Sequence, residues 1–409
     1  MQKTTRILAV LGSVALAGAV SSAQAQQSLG RDVGGGFKLA TQFQADTTYT
    51  DNFYYQPDNE QSATGLLLRP SLQLASDRGR WGITNAVGLE AGSFTAPTSQ
   101  DDYVDGFANL GLDYQAGNRH RFSIGGGYIK EHDPFGTTRT EQIATIFNRD
   151  IDQWHQTNAA GKYRFGAADA LINTEITLSA AQKRYDTNEG GPSGTRFLDH
   201  DTKAADVAFF YNFSPKTAVV IDALVSDVEF EEALSANRDG QYKRLRGGVR
   251  WNVTAQTSGD FRAGYFRRDF DDGGREEKTG ANWNATLNWT PAPLTKFKLS
   301  TGRAELISFV FGTRFIDFQH VSASWSQRWT TRFTTETSVS FSQSDFIGSP
   351  TERSDDNTGA NFYGQYQLQR ALSVVGGLSS SARDSSDTAP TTNLDYDTLT
   401  AFLGIRITP

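Results

Sequence analysis

The sequence predicts an all-β protein, a transmembrane up-and-down antiparallel β-barrel of about 18 strands, with about 16 as the lower estimate. Three observations predict this fold class. From Phe37 to the C-terminus, apolar and polar residues alternate through successive segments of strand length. The connections between these segments are short and long in turn. Residues that favour strands and turns are plentiful, with 27 Phe, 14 Tyr and 39 Gly in 409 residues.

The first 25 residues are typical of a secretory signal peptide. Lys3 and Arg6 supply a positively charged start, an apolar stretch follows, and Ala23-Gln24-Ala25 is a small-residue cleavage site. A membrane anchor is the alternative, but the apolar stretch is short for one. We therefore predict a signal peptide at residues 1–25, a short periplasmic N-terminal segment at 26–36 and an outer-membrane barrel at 37–409.

The alternation gives each predicted strand two different faces. In residues 242–254, Leu245 and Val249 share one face, whereas Arg246 and Arg250 share the other. The same pattern predicts strands at residues 37–53, 63–76, 80–93, 103–116, 119–132, 153–165, 170–186, 200–213, 217–230, 242–254, 259–270, 278–290, 295–308, 316–329, 332–345, 358–370, 371–384 and 395–408.

Short turns and long polar loops alternate between these strands. Asp77-Arg78-Gly79 and Ala116-Gly117-Asn118 are examples of the turns. In outer-membrane barrels the short turns face the periplasm and the longer loops face the exterior. The long loops are rich in Gly, Asp and Ser and lie at residues 54–62, 94–102, 133–152, 187–199, 231–241, 271–277, 346–357 and 385–394.

Strand length favours a membrane barrel over a soluble β-sandwich. A tilted strand needs about 9–11 residues to cross the hydrocarbon core, whereas strands of soluble sheets are usually about 5–6 residues long. Backbone polar groups in lipid must all be paired, so a membrane sheet closes on itself without an edge. A secreted β-solenoid or propeller is the remaining alternative, but the chain shows no repeat of fixed length.

The composition excludes several classes of function. With no cysteine, the chain has no disulfide scaffold, cysteine-held cluster or thiol nucleophile. A formal net charge of −7 argues against nucleic acid as a partner. We predict neither a cofactor nor a metal site: Gly125–Gly127 lies within a predicted strand with no helix after it, so it is not a phosphate loop. The Asp-rich loops 187–199 and 350–358 have the composition of solvated loops, and binding of Ca²⁺ there is the alternative.

The inward face of such a wide barrel is expected to line a water-filled lumen. Guanidinium groups bind carboxylates through two hydrogen bonds, so basic residues on this face predict a stripe that attracts an anionic solute, such as a uronate- or pyruvate-bearing glycan. The alternative is a set of solvated wall residues that pair across strands. The candidate substrate-binding residues are Arg246, Arg250, Arg262, Lys296 and Lys298.

The longest predicted connection, residues 133–152, is a candidate constriction loop. Its charged residues Arg139, Glu141, Arg149 and Asp150 would line the opening if the loop folds into the lumen. An extracellular flap is the alternative arrangement.

We predict no catalytic residues. His320 with Ser322 or Ser324 is a formal candidate pair for a barrel enzyme that modifies lipid or glycan, but no acidic partner is placed by spacing. The protein is therefore predicted not to be an enzyme.

Short motifs at the strand ends point to a family. The opening strand and its exit read Gln44–Phe53 (QADTTYTDNF), and other strand exits pair an aromatic residue with an acid, as at Tyr185-Asp186, Phe230-Glu231 and Phe270-Asp271. With the hairpin Leu66–Gly92, these features resemble the β-barrel porin 2 family, and within it the EpsL-like outer-membrane barrels that are encoded with exopolysaccharide systems. The resemblance implies an outer-membrane pore associated with export or assembly of an exopolysaccharide, and it brings no catalytic residues.

Together these observations predict a hydrophilic conduit in the bacterial outer membrane. Its expected partners are outer-membrane lipid, a polysaccharide or small hydrophilic solute, and periplasmic or inner-membrane components of polysaccharide export. A general or small-solute porin is the main alternative. A barrel enzyme and a structural barrel with a closed lumen are the others.

Overall fold

A computed structural model describes most of the chain beyond the N-terminus. The predicted signal peptide lies outside the described residues, so its cleavage stays a prediction. The described residues are 30–95, 101–137, 140–141, 150–167, 170–190, 194–232, 238–254, 256–272, 277–308, 310, 313–387 and 393–409.

Eighteen long strands in the described ranges form the wall of one barrel, preceded by the short strand β1 (Arg31–Gly34). The wall strands are β2 (Phe37–Thr50), β3 (Ala63–Asp77), β4 (Trp81–Phe94), β5 (Tyr103–Ala116), β6 (His120–Asp133), β7 (Asp152–Phe165), β8 (Ile172–Tyr185), β9 (His200–Ser214), β10 (Thr217–Phe230), β11 (Gly240–Thr254), β12 (Thr257–Phe270), β13 (Lys278–Ala292), β14 (Thr295–Ile307), β15 (Phe315–Arg328), β16 (Phe333–Ile347), β17 (Ser354–Gln369), β18 (Leu372–Ser385) and β19 (Tyr396–Ile407).

The barrel closes through an antiparallel ladder between β19 and β2. Thr400 lies opposite Thr50 and Ile407 opposite Phe43, and every other wall strand pairs with its neighbours in the chain. The hydroxyls of Thr50 and Thr400 are 3.0 Å apart, and Arg406 donates two hydrogen bonds to Gln44 across the same seam. No wall strand in the described chain is left with a free edge, which is the condition for a sheet in hydrocarbon.

The predicted barrel of 18 strands is confirmed; the other strand ends differ from the prediction by three residues or fewer, and two differences are larger. β1 was not predicted, and it folds back on the start of β2 with Arg31 opposite Leu39. β17 begins at Ser354, earlier than predicted, because Asp355 already pairs with Ser385 on β18. The polar composition of this stretch is typical of a loop, and only the pairing with both neighbouring strands makes it part of a strand.

The short turns lie at one end of the barrel, called the turn side, and the long loops lie at the other end, called the loop side. An even number of wall strands places both Phe37 and Ile407 on the turn side. The loop between β8 and β9 contains a 3₁₀ helix at Thr195–Leu198. Among the described residues, no helix is both long enough and apolar enough to cross a membrane.

Outward-pointing side chains form an exposed apolar surface. Tyr265 is 75% exposed, Ile124 and Leu403 are each 65% exposed, and Leu245 is 60% exposed. A continuous apolar surface of this kind is not tolerated in water, but it suits lipid hydrocarbon. Exposed aromatic residues also mark the turn side as an interfacial girdle, among them Trp81, Phe165, Phe213, Trp289 and Trp329.

Inward-pointing side chains are mostly polar. On β17, Phe362 is 46% exposed on the outer face, and the alternating positions Asn361, Tyr363 and Gln365 point inward. On β10, Asp222 points inward next to the exposed Ile221. The alternation in the sequence therefore separates a lipid face from a polar lumen.

Candidate functional site in the barrel lumen

The inner wall at β10, β11 and β12 carries an arginine cluster around one buried carboxylate. The side chain of Asp222 is 0% exposed and is contacted by Arg244 at 3.2 Å, Arg246 at 3.0 Å and Arg262 at 3.2 Å. Three guanidinium groups thus share one carboxylate, which offsets the cost of burying its charge.

The strand register explains how these residues meet. Arg246 lies directly opposite Asp222 on the β10–β11 ladder. Arg262 lies opposite Gly248 on the β11–β12 ladder, and Gly248 in turn lies opposite Val220. A side chain at Gly248 would collide with the backbone of Phe261 and Arg262, so this glycine allows β11 and β12 to approach closely, and the guanidinium of Arg262 reaches Asp222 on β10.

A second carboxylate, Asp260, extends the cluster toward the turn side. Arg262 binds it through two hydrogen bonds, of 2.8 and 3.0 Å, and Arg250 donates one of 2.9 Å. Arg250 also packs over the ring of Phe210 at 4.4 Å. The arginine cluster contains the basic residues Arg244, Arg246, Arg250 and Arg262 and the acidic residues Asp206, Asp222 and Asp260.

Exposure divides the cluster into a structural part and an accessible part. The side chains of Arg244, Arg246 and Arg262 are only 10–14% exposed, and their charges are paired with the carboxylates of the cluster. Arg250 is 46% exposed and meets the solvent of the lumen. Arg250 is therefore the residue of the cluster that is best placed to contact a solute.

Three of the five predicted basic residues come together, and two lie apart. Arg246, Arg250 and Arg262 belong to the arginine cluster, whereas Lys296 and Lys298 occupy exposed inward positions of β14 nearer the turns. Lys298 lies opposite Asn288 and Ser324 rather than opposite the arginines. Neither lysine forms an ion pair with a described residue.

The predicted basic stripe did not include Arg244 or the three carboxylates of the cluster, Asp206, Asp222 and Asp260. Arg244 has the same alternation as Arg246, and Asp260 the same as Arg262, so the inward face of each was readable. Their pairing depends on the lateral register of three strands, which the alternation does not specify.

The arc of wall from β14 to β18 is mainly hydroxyl and amide. Ser300 and Ser322 are hydrogen-bonded at 2.7 Å, and Ser379 donates to Asn361 at 2.8 Å. Gln365 donates to Ser373 at 3.2 Å. Such groups both donate and accept hydrogen bonds, so they can exchange their mutual bonds for bonds to the hydroxyls of a passing solute.

Glu141, in the loop between β6 and β7, reaches the distant strand β18 and the loop that precedes β17. Its carboxylate contacts Arg383 at 2.6 Å and Arg353 at 2.8 Å. Arg383 occupies an inward position on β18, six strands from β6 by the shorter way round the barrel. The carboxylate of Glu141 therefore lies within the loop-side mouth.

The two arginines that hold Glu141 are themselves fixed. Arg353 is 2% exposed and binds both oxygens of Asp355, and Arg383 is 7% exposed and donates to the carbonyl of Leu394 at 2.6 Å. Burial alone would lower the pKa of Arg353, but hydrogen bonds to Asp355 and the charge of Glu141 raise it above its ordinary value. This anchor network consists of Glu141, Arg353, Asp355 and Arg383.

The start of the same loop packs on its neighbour. Phe135 and Ile151 form a buried cluster with Tyr54 of the loop between β2 and β3. Gly136 adopts a φ of +76°, and a side chain there would collide with the carbonyl of Tyr54. The first residues of the loop are therefore packed closely against the loop between β2 and β3.

The other residues proposed for this loop are only partly described. Arg139 and Arg149 lie outside the described residues. Asp150 is exposed, and its carbonyl accepts a hydrogen bond of 2.7 Å from Asn188.

Asp199, between the 3₁₀ helix and β9, is a buried carboxyl in the loop between β8 and β9. Burial raises its pKa to about 6, although the backbone N–H of Tyr185 donates to it at 2.8 Å. A raised carboxyl pKa means that the folded loop holds its proton more tightly than the unfolded chain. The stabilisation that protonated Asp199 gives to the folded loop is therefore complete below about pH 4, and it is lost as the pH rises through about 6.

We expect amide exchange in residues 194–200, corrected for the intrinsic rate, to be about tenfold faster or more at pH 7 than at pH 5. Asp199→Asn should remove this difference, because the amide oxygen still accepts from Tyr185 but does not ionise. The segment 348–353 serves as the control. Equal protection at both pH values in the unaltered protein would contradict the assignment.

The candidate catalytic pair is not assembled. Nδ1 of His320 is buried without a hydrogen-bond partner, and the hydroxyl of Ser322 bonds to Ser300 instead. The structure describes no hydrogen bond between His320 and Ser322 or Ser324. Within the described ranges, no group of three or more acidic or histidine side chains is arranged to hold a metal ion.

A closed barrel with an apolar exterior and a polar, charged interior defines the class: an outer-membrane β-barrel of porin type. The family profile described as "Putative beta-barrel porin 2" matches residues 25–408. The chain belongs to this family.

Several solved structures resemble the fold at low sequence identity. The FrpB iron transporter from Neisseria meningitidis (F5-1 variant) is 11% identical with a TM-score of 0.49, over 90% of this chain and 66% of FrpB. OccAB4 from Acinetobacter baumannii is 10% identical with a TM-score of 0.45, over 91% of this chain and 98% of OccAB4. OprD from Pseudomonas aeruginosa is 10% identical with a TM-score of 0.42, over 90% of this chain and 95% of OprD. No match was found among curated proteins.

Proposed function

We propose that the protein is an outer-membrane pore for an anionic hydrophilic solute, and specifically a conduit for the export of an exopolysaccharide. The observation that carries the proposal is the inner wall at β10–β12, where the accessible Arg250 adjoins three further arginines. The family supports a pore, and the resemblance of the strand-end motifs to barrels of exopolysaccharide systems supports the choice of solute.

Passage would rest on weak, repeated contacts with the wall. Arg250, Lys296 and Lys298 attract the carboxylates of an acidic glycan. The hydroxyl and amide arc from β14 to β18 replaces part of the hydration of its sugar rings. Because the buried arginines are already neutralised by carboxylates, no single site binds strongly enough to trap the polymer.

The loop between β6 and β7 would set the width of the pore. Glu141 is fixed by the anchor network, and with its carboxylate held there the loop would narrow the loop-side mouth. A wide polymer would need this loop to move. The same narrowing favours the second candidate function, a porin for small anionic solutes.

Reversal potentials in planar bilayers test the role of the accessible basic residues. The unaltered pore should prefer anions, and the triple variant Arg250→Gln, Lys296→Gln and Lys298→Gln should reduce that preference, because three lumen charges are lost while the buried carboxylates stay paired. Arg267→Gln is the matched control, since Arg267 lies on β12 but points outward and binds Asp269. An unchanged preference for anions in the triple variant would show that Arg250, Lys296 and Lys298 do not set the selectivity of the pore.

Solute size separates the two candidate functions. Entry and passage of acidic oligosaccharides, seen as voltage-dependent blocking events whose duration falls at high voltage, would favour export. Conduction of small anions with no interaction with the oligosaccharides would favour the small-solute porin. Co-purification with periplasmic or inner-membrane components of polysaccharide export would support the former.

A further inference from the structure

The turns of the barrel are basic. The eight short connections between wall strands contain one acidic residue, Asp169, which lies outside the described residues. All basic residues of the turns are exposed, and Arg80, Arg119, Arg332 and Arg370 form no ion pair with a described residue. The six basic residues of the turns are Arg78, Arg80, Arg119, Lys216, Arg332 and Arg370.

The loops at the opposite end are acidic. In the sequence they carry twenty acidic residues and seven basic ones. The acidic residues are Asp51, Asp58, Glu60, Asp101, Asp102, Glu141, Asp150, Asp186, Glu189, Asp199, Glu231, Glu232, Asp239, Asp271, Asp272, Glu276, Glu277, Glu352, Asp387 and Asp395. The basic residues are Arg139, Arg149, Arg196, Arg238, Arg275, Arg314 and Arg353.

The inner wall continues the positive charge inward from the turns. Among the side chains that the structure describes, ten basic residues occupy inward positions in the half of the barrel next to the turns, against the five acidic residues Asp113, Glu175, Asp222, Asp260 and Glu336. Arg328, Lys296 and Lys298 are exposed in the lumen and form no ion pair with a described residue. The ten basic residues are Lys38, Arg121, Lys162, Arg164, Arg250, Arg262, Lys296, Lys298, Arg328 and Arg406.

We propose that the turn-side mouth is a binding face for an anionic polymer, which it captures from the compartment that the turns face. The inference rests on the proposed pore function and adds a direction to it. Since short turns face the periplasm, capture takes place there, and the acidic loops repel the same polymer from outside. The charge along the pore axis makes entry faster from one side than from the other.

The physics favours a polymer over a lipid surface as the occupant. Turn arginines alone would also suit the anionic headgroups of the inner leaflet. The positive charge, however, continues onto the inward-facing wall, where lipid does not reach, and a charged opening with low-dielectric walls concentrates counter-ions at its entrance. Attraction of this kind acts over about 10 Å at 0.1 M salt and over about 3 Å at 1 M.

One-sided addition of a polyanion to a single pore tests the proposal. The probe is a polygalacturonate fragment, with neutral dextran of similar length as the control. The chain has no cysteine, so Asn118→Cys introduces a single thiol on the turn side. Modification of this thiol by a membrane-impermeant reagent added to one chamber reports the orientation of each pore. We expect blocking events to be about tenfold more frequent from the turn side at 0.1 M salt, and the excess to disappear at 1 M.

Two charge-matched variants locate the effect. Replacing Arg80, Arg119, Arg332 and Arg370 by Gln should lower the turn-side blocking rate about tenfold and leave the loop-side rate unchanged. The control variant should leave the turn-side blocking rate unchanged. In it, Gln replaces four exposed basic residues of the loop half, Arg196, Lys203, Lys243 and Arg267.

The outcomes separate this inference from the proposed function. Equal blocking rates from both sides, or an unaltered turn-side rate in the turn variant, would overturn the capture face. If the pore still conducts and prefers anions, the proposed function stands without it. If the turn variant loses only its affinity for anionic vesicles, the four arginines are lipid anchors, and the capture face is also overturned. Binding of polygalacturonate to the detergent-solubilised barrel, weakened in the turn variant, supports the capture face even if conductance is absent and the pore function fails.

Discussion

Asp222→Asn is expected to destabilise the barrel and to shift its ion selectivity toward anions. The carboxylate is fully buried and holds Arg244, Arg246 and Arg262 together. Removing one partner of a buried ion pair costs about 3–5 kcal/mol, because the remaining charges stay buried without compensation. The asparagine oxygen still accepts a hydrogen bond from one arginine, so the loss should fall toward the lower end of this range.

Two measurements check the expectation for Asp222. The temperature at which the folded, heat-modifiable form unfolds in detergent should fall, and the reversal potential should show a stronger preference for anions. Asp206→Asn is the matched control, because Asp206 is 32% exposed and its ion pair in the cluster is with Arg244 alone. We expect about 1 kcal/mol or less from the control, as for exposed ion pairs. A D222N barrel with the thermal stability and selectivity of the unaltered protein would contradict the assignment.

Glu141→Gln is expected to release the loop between β6 and β7 and to raise the conductance. Glu141 is the counter-charge shared by Arg353 and Arg383, which are almost completely buried. Loss of its charge weakens the loop anchor by about 3–5 kcal/mol, enough to make detached conformations common. Single-channel recordings should show a larger mean conductance and new transitions on the microsecond-to-millisecond scale of loop motion.

Glu352→Gln provides the comparison for this variant. Glu352 is exposed and precedes Arg353 in the same loop, but it lies outside the anchor network. Its replacement should leave conductance and noise unchanged. If E141Q conducts as the unaltered protein does, without additional transitions, the loop does not limit the pore.

The fold could be predicted closely because its signals are local. Alternation with period 2 places Leu245 on the lipid face and Arg246 on the lumen face whatever the neighbouring strands are. Short turns and long loops then order the strands, and hydrocarbon requires the sheet to close. The prediction missed β1, and it began β17 late, because a polar stretch such as Ser354–Asn357 forms a strand only through its neighbours.

The candidate site could be predicted only in part. Residue types and faces selected Arg246, Arg250 and Arg262, which the barrel brings together. Lys296 and Lys298 share the inward face but lie two strands away from Arg262 and nearer the turns. A lateral neighbourhood depends on register, and a shift along the strands would give every arginine a different partner.

By itself the sequence determined that the chain crosses the membrane as strands, which face of each strand meets lipid, and that basic turns lie at one end and acidic loops at the other. These properties follow from local periodicity and from the order of residues along the chain. Only the tertiary structure decided that three arginines share Asp222 and that Glu141 joins Arg353 and Arg383, more than two hundred residues further along the chain. Such contacts arise because closing the barrel brings distant strands to the same lumen, and their partners are chosen by distance and register rather than by sequence spacing.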